Sequence, residues 1–421
     1  MDLEKIVDRK TYQKFKGADW PIYENFVINE YTVSDSIQKE IKNFISMMEE
    51  QYEDLSVSKT KELSEANQLR QEQIFYDKSY TGSIKCNQPW QTLGVNANGN
   101  VFICPSPSWI PIFLGTVLES NDIYEILNCE QAKKIRLEIL QNRYYYCNSN
   151  ICGFFQQANP QTYKKTFNEQ DTKPLTLINE QAELCVNEIP QNLIFDFDPT
   201  CNFKCPSCRT EHQNFNNHHI IRPINNTISD KIKTLIIDKI KDQPVSIRWA
   251  GGEPFMSEVY LDLFNYIVSK NKKNITHTVQ TNGSLLKSKD KLVKSFLPYI
   301  SNLRISFDAG CEETYKLTRI GGNWDNLIEN VKFVKDLITQ NKFRTHLSAD
   351  FVVQKNNYKD LPMFANLCRE LGMSMNIQKM WNWGTWDTEI FHDMNVYDTK
   401  HHLYKDVEKY FRLANLPMAK N

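Results

Sequence analysis

From residue 193 onward the chain alternates regularly between two hydrophobic patterns. Short runs dominated by apolar or β-branched residues predict six strands: LIFDFD (193–198), VSIRWA (245–250), THTVQT (276–281), LRISFD (303–308), THLSADFVV (345–353) and MSMNIQKM (373–380). Between them lie stretches with helical spacing: one from Asp230 with Ser229 as its N-cap, and others near 258–270, 289–300, 323–340 and 358–371. Strands alternating with helices in this way predict an α/β fold, a parallel sheet joined by helical crossovers. The strands are rich enough in apolar residues for a sheet buried on both faces. Six units are fewer than the eight of a closed barrel. This leaves a partial, open (β/α)6 TIM-like barrel or a doubly wound sheet, and both place their chemistry at the C-terminal ends of the strands.

Upstream the pattern is different. Residues 1–80 are polar and helix-like, and the stretch 34–52 sets Ile37, Ile41, Phe44, Ile45 and Met48 on one face, as a packing helix would. Residues 81–157 form a small α+β region with Cys86, Cys104, Cys129, Cys147 and Cys152. In it, Asn98-Gly99 between apolar runs predicts a hairpin carrying Cys86 and Cys104 on neighbouring strands, and a helix-like stretch, 123–140, leads to Cys147 and Cys152. Residues 158–190, with Pro160, Pro174 and Pro190, read as a linker. The organisation expected is therefore a helical segment (1–80), a cysteine-rich domain (81–157), a linker, a core of residues 191–382, and an aromatic tail (383–421) that covers part of the sheet or the mouth of a site.

Composition narrows the function. The formal net charge of −1 over 421 residues supplies no field that favours nucleic acid or an anionic membrane. No apolar run approaches a membrane span, and the N-terminus, MDLEKIVDRKTYQKF, lacks the apolar core of a secretion signal, so a cytoplasmic location is expected. Eleven cysteines in such a compartment point to metal binding before disulfides.

The first predicted strand of the core leads into Cys201-Asn-Phe-Lys-Cys205-Pro-Ser-Cys208. Thiolates are soft ligands that select iron–sulfur clusters, zinc or Cu(I). Three cysteines would hold a cubane cluster with one iron left open to a small chelating ligand. With His212 as a fourth ligand, the same residues would make a structural zinc site. The next strands end in Trp249-Ala250-Gly251-Gly252-Glu253-Pro254, in Gln280-Thr281-Asn282-Gly283 and in Ser306-Phe307-Asp308, with Arg319 in the loop that follows. Paired glycines let a ligand approach backbone carbonyls, and the carboxylate beside them accepts from an ammonium group. Asp308, Asp350 and Lys379 also fall at strand ends, as substrate contacts or as ordinary surface and capping residues.

The C-x3-C-x2-C loop after the first strand, followed by Gly-Gly-Glu-Pro after the second, resembles the radical S-adenosylmethionine (SAM) superfamily over roughly residues 190–382. The resemblance implies a six-unit partial barrel. It implies that Cys201, Cys205 and Cys208 ligate a [4Fe–4S] cluster whose fourth iron takes the amino and carboxylate groups of SAM. It further implies that Gly251, Gly252 and Glu253 receive the methionine amino group, that Ser306 meets ribose or carboxylate, that Arg319 meets the carboxylate, and that Asn282 lies near the same ligand. One electron would then cleave SAM to methionine and a 5′-deoxyadenosyl radical, which removes hydrogen from a peptide, protein or small polar substrate. A flavodoxin- or ferredoxin-like donor would supply the electron. Ser207 stands where the family commonly has an aromatic residue.

Cys86-x12-Gly99-x4-Cys104 followed by Cys147-x4-Cys152 resembles the twitch form of the SPASM auxiliary-cluster domain, which implies a second [4Fe–4S] cluster. The same four cysteines also fit a zinc ribbon. In that group the auxiliary domain normally follows the barrel, whereas here it precedes it. Cys129, Cys185, Cys311 and Cys368 fall outside both patterns and read as packing residues. A reading from another class is a zinc-stabilised, non-catalytic binding module on an α/β scaffold.

Overall fold

The computed structural model describes residues 86–107, 109–110, 112–140, 146–147, 152, 184–209, 212–219, 221–381 and 385–418. The segment 1–80, with its expected helix, and most of the expected linker lie outside the described residues. The described chain falls into two compact units. One takes in the residues up to Phe197 together with 224–245, and the other takes in Asp198–Pro223 and Ser246 onward.

In the first unit, β1 (Thr92–Asn96) lies between two partners. It runs antiparallel to β2 (Val101–Phe102), with Gly94 opposite Phe102, and parallel to β3 (Asn192–Asp196), with Leu93 opposite Leu193. The β1–β2 turn is the expected hairpin. Asn98 and Gly99 take left-handed φ values of 65° and 72°, which these two residue types tolerate best. Cys86 and Cys104 do not sit on the paired strands: Cys86 precedes helix α1 (Gln88–Gln91), and Cys104 follows β2. The expected helical stretch 123–140 is two helices, α2 (Ile123–Leu127) and α3 (Glu130–Leu140). The break falls at Asn128, whose side chain donates to Val186 O (2.9 Å) and accepts from Val186 N (2.8 Å). An asparagine that satisfies a distant backbone competes with the helix it would otherwise continue. Buried Arg136 on α3 joins the pieces by donating to the carbonyls of Pro89, Leu127 and Leu184.

Helix α4 (Ile221–Leu235) starts nine residues before the expected Asp230, and Ser229 is a buried interior residue, not its N-cap. Pro223 falls in the first turn, where no N–H has to be paired. Ile228, Ile232 and Leu235 supply the buried stripe.

In the second unit the strands β4 (Val245–Trp249), β5 (Ile275–Thr281), β6 (Ile300–Ser306), β7 (His346–Val353) and β8 (Ser374–Lys379) are neighbours in sequence order. From β5 to β8 every pairing is parallel, with Ile305 opposite both Thr281 and Ala349. Helices α5 (Glu258–Ser269), α6 (Asp290–Phe296), α7 (Glu312–Thr318), α8 (Trp324–Asn341) and α9 (Leu361–Leu371) make the crossovers. Ser257 caps α5 by accepting from Tyr260 N. Under α5 and α6, Trp249, Tyr260, Phe264, His277 and Phe296 form one aromatic cluster, with Phe264 and Phe296 stacked at 4.2 Å. Burial of a phenylalanine such as Phe264 or Phe296 contributes roughly 1.5–3 kcal/mol. The tail carries α10 (Thr388–Met394) and α11 (Tyr404–Leu413). It crosses the C-terminal ends of β7 and β8: Lys355 N donates to Met394 O (3.0 Å), Tyr358 Oη to Asp406 (2.8 Å), and Lys379 Nζ stands 5.4 Å from the Tyr397 ring centre.

The fold is therefore α/β. Six strands, β3 to β8, alternate with helices as in a partial TIM-like barrel, and a cysteine-containing region precedes them. Among the described residues no helix is long and apolar enough to cross a membrane.

Candidate active site

The loop after β3 is shaped before any ligand is considered. Asp198 accepts from Thr200 N (3.0 Å) and from the Ser257 hydroxyl (2.5 Å), which ties the loop to the start of α5. Cys201 N donates to Gln213 O (2.6 Å), and Cys205 O accepts from the amides of Cys208 and Arg209 (2.9 Å each). The segment thus folds back on itself with its cysteines on a tight turn. Each of the three sulfurs accepts hydrogen bonds from the protein. Cys201 Sγ accepts from Phe203 N (3.4 Å) and Asn282 Nδ2 (3.9 Å), Cys205 Sγ from Arg319 Nη1 (3.4 Å), and Cys208 Sγ from Arg209 Nη2 (3.6 Å). Burial pushes the Cys201 thiol up to about 11, against the pull of Arg209. It raises the Cys205 thiol as well, with Arg319 opposing. Such thiols become thiolates when a metal takes the place of the proton.

The glycines after β4 serve the fold first. Gly251 has φ 95°, a conformation that side chains disfavour. A Cβ on Gly252 would lie 2.1 Å from Thr200 O, so this glycine admits the backbone of the cysteine loop, where the sequence suggested the approach of a ligand. Glu253 then joins three strand ends. Its amide donates to Thr200 O (2.7 Å), and its carboxylate accepts from Thr281 Oγ1 (2.7 Å), Asn282 N (2.6 Å) and Phe255 N (3.2 Å). Burial raises its pKa, and these hydrogen bonds hold it back. Asn282 gives its amide group to Asn202 (2.9 Å) as well as to Cys201, and takes hydrogen bonds from the backbone and hydroxyl of Ser284.

Ser306 ends β6 and is buried. Arg319 caps the C-terminus of α7. Its Nη2 lies 3.1 Å from Asp308 Oδ2, and its buried Nε has no hydrogen-bond partner. The expected metal ligands Cys201, Cys205 and Cys208 thus lie in the same unit as Gly251, Gly252, Glu253, Asn282, Ser306 and Arg319, at the C-terminal ends of β4 to β6 and beside the loop after β3. The expected substrate contacts fare differently. Asp350 is engaged by Arg304 (3.0 Å) and Asn376 (2.8 Å) within the sheet, and Asp308 by Arg319 and Val352 N (2.7 Å). Lys379 is half-buried, with its Nζ 5.4 Å from the ring centre of Tyr397 in the tail. His212 is exposed, with its ring against Gly321.

Sequence reasoning missed Arg209, Thr281 and the Asp308–Arg319 pair. The signal for Arg209 was its place directly after the last cysteine, beside three groups that become anionic when they bind metal.

In the first unit Cys86, Cys104, Cys147 and Cys152 come together. Burial lifts the Cys86 thiol to about 12, and Cys152 adds to the rise. Cys104 is raised by burial and then by Cys86 and Cys152, and Cys147 by burial and then by the other three. Four thiols within electrostatic reach of one another, those of Cys104, Cys147 and Cys152 on buried residues and that of Cys86 on a half-buried one, suit a soft metal centre. Among the described residues, no three His, Cys, Asp or Glu side chains close round one point as they would for a single ion. A cluster asks less convergence of its ligands, since each cysteine binds a different iron.

Comparison with known proteins agrees with this chemistry. Residues 197–366 match the radical SAM superfamily, and residues 86–153 match the iron–sulfur cluster-binding domain called SPASM. A curated relative from Methanocaldococcus jannaschii, named "Probable GTP 3′,8-cyclase", is 27% identical over 177 residues, which are 42% of this chain and 54% of the relative. The chain thus spans about half the length of the curated relative it matches. Three hydrogen-bonded cysteine sulfurs after β3 and four cysteines earlier in the sequence agree with what these matches show: the chain carries a radical SAM superfamily domain preceded by a SPASM/twitch-like auxiliary iron–sulfur domain.

Proposed function

We propose that the protein is a radical SAM enzyme acting on a peptide, protein or small polar substrate. The observation that carries this reading is the cysteine loop, in which Cys201, Cys205 and Cys208 each accept a hydrogen bond from the protein and one shared network leads from Cys201 through Asn282 to Glu253. The residues fit the group. Three thiols supply a soft donor set, and the partnerless Nε of Arg319 is a buried donor awaiting an acceptor.

Cys201, Cys205 and Cys208 would hold a [4Fe–4S] cluster, which supplies the electron for reductive cleavage of SAM to a 5′-deoxyadenosyl radical. Gly251, Gly252, Glu253, Asn282, Ser306 and Arg319 would surround the cofactor. Glu253 offers negative charge to an ammonium group. Arg319 offers its unused N–H to a carboxylate while Asp308 fixes its orientation. Cys201, Phe203, Cys205 and Arg209 are the buried residues of the loop, and a site closed to water would protect a reactive radical from side reactions. Cys86, Cys104, Cys147 and Cys152 would hold an auxiliary [4Fe–4S] cluster, and a flavodoxin- or ferredoxin-like protein would deliver the electron.

The test is metal and sulfide analysis of protein purified and reconstituted without oxygen, followed by electron paramagnetic resonance with and without SAM. Iron, sulfide and a reduced-cluster signal that SAM perturbs support the proposal. Zinc without sulfide returns the chain to a binding module.

A further inference from the structure

Arg209, which follows the last cysteine of the loop and donates to its sulfur, is 5% exposed. Its Nη1 donates to Pro199 O (2.7 Å) and Gln213 Oε1 (3.4 Å), and its Nη2 to Gly251 O (3.1 Å) and Cys208 Sγ (3.6 Å). The contrast with other arginines of the unit is informative. Arg304 is paired with Asp350, and Arg319 with Asp308. Among the described residues no carboxylate accepts from Arg209. A buried guanidinium held only by neutral groups is costly unless charge appears beside it. The groups that act on it electrostatically are the thiols of Cys208, Cys201 and Cys205.

We infer that Arg209 is a positioning residue that sets the reduction potential of the cluster and fixes the Gly251 carbonyl beside it; this rests on the iron–sulfur reading of Cys201, Cys205 and Cys208. Reduction adds one electron from a ferredoxin- or flavodoxin-class carrier, or from dithionite, and makes the centre one charge more negative with no proton taken up. A fixed cation with a hydrogen bond to a ligand sulfur favours the form with the extra electron. The same guanidinium holds the Gly251 carbonyl and the Cys208 sulfur on one nitrogen, so the Gly-Gly turn and the cysteine loop move as one piece.

The experiment compares wild type, Arg209→Lys and Arg209→Gln as reconstituted holoprotein, by redox titration followed with electron paramagnetic resonance, with iron and sulfide counted in each. In Arg209→Gln at fixed potential, the ratio of reduced to oxidised cluster should fall roughly ten- to a hundred-fold, the factor expected for one charge-assisted hydrogen bond. Arg209→Lys keeps the charge and should fall between the two. Full iron content with an unshifted potential in Arg209→Gln overturns the proposal. So does loss of the cluster from both variants while their thermal unfolding matches wild type, because Arg209 would then serve assembly alone. Failure of the underlying reading looks different: the wild type itself would show no [4Fe–4S] signal.

Discussion

Arg319 donates to the sulfur of Cys205 at 3.4 Å while the other end of its guanidinium lies 3.1 Å from Asp308. A side chain at the C-terminus of α7 thereby joins the cysteine loop to a carboxylate two residues beyond β6. Asp308 is buried and has φ 51°; burial raises its pKa, and the Arg319 guanidinium beside it opposes the rise.

Breaking this pair from one side should be worse than removing it whole. Arg319→Gln strands the Asp308 charge and should cost about 3–5 kcal/mol, whereas Asp308→Asn combined with Arg319→Gln should cost less than the sum of the single changes. Urea unfolding of the metal-free protein measures both. Additive losses would show that the two side chains are not coupled in solution.

Gly252→Ala tests the contact between the two loops. A Cβ at 2.1 Å from Thr200 O forces the cysteine loop away from the end of β4. Overpacking of this kind costs about 1–3 kcal/mol, and the larger consequence should be poor cluster retention in a folded chain. Iron analysis together with circular dichroism reads both effects. Wild-type iron content would show that the loop has room the structure does not reveal.

Much of this was legible in the sequence, for identifiable reasons. The strands of the core are runs of apolar and β-branched residues, and burial on both faces demands that composition wherever such a strand lies. Asn98-Gly99 announced its turn because few other residues accept two successive left-handed positions. The parallel pairing of β1 with β3 was hidden, since its partners lie about a hundred residues apart and TLGVN carries no signal of what it pairs with. Helix α4 began unseen because Pro223 and the Asn225-Asn226 pair look like breakers, although a first turn tolerates the proline and Asn225 is buried within the helix. In the site, cysteine spacing and Gly-Gly-Glu-Pro were visible as residue types. That Gly252 makes room for backbone, and that Glu253 joins three strand ends, depends on chain segments about 30 to 50 residues apart meeting at one point.

Glu253→Gln removes the charge offered to the ammonium group of SAM; its amide oxygen can still accept from Thr281 and Phe255, while its NH2 then faces the Asn282 amide. A charge-assisted hydrogen bond contributes roughly 1.5–3 kcal/mol, so SAM affinity should fall about ten- to a hundred-fold with iron content retained. Equilibrium binding to the reconstituted protein gives the answer, and unchanged affinity would remove Glu253 from the cofactor's contacts.

His277 makes the fold sensitive to acid. Burial lowers its pKa to about 3, and its Nδ1 accepts from Trp249 Nε1 at 3.1 Å, so it is neutral when folded. The unfolded chain has a histidine of ordinary pKa, about 6.5. As pH falls below that value the unfolded state binds a proton that the folded state refuses, so stability is full above about pH 6.5 and declines toward pH 3. The loss is about 1.4 kcal/mol per pH unit, or about 2 kcal/mol by pH 5. The difference in unfolding free energy between wild type and His277→Gln, measured at pH 7 and pH 5, should shrink by that amount. A difference independent of pH would mean that His277 titrates normally.

Reductive cleavage of SAM supported by Cys201, Cys205 and Cys208 is read out by incubating anaerobically reconstituted protein with dithionite and SAM and measuring 5′-deoxyadenosine. Wild type should form it, His212→Ala should form it equally, and the variant with all three cysteines changed to alanine should form none and carry about four fewer irons per chain. Release of 5′-deoxyadenosine by the triple variant, or none from fully reconstituted wild type, would mean that these cysteines do not support the cleavage.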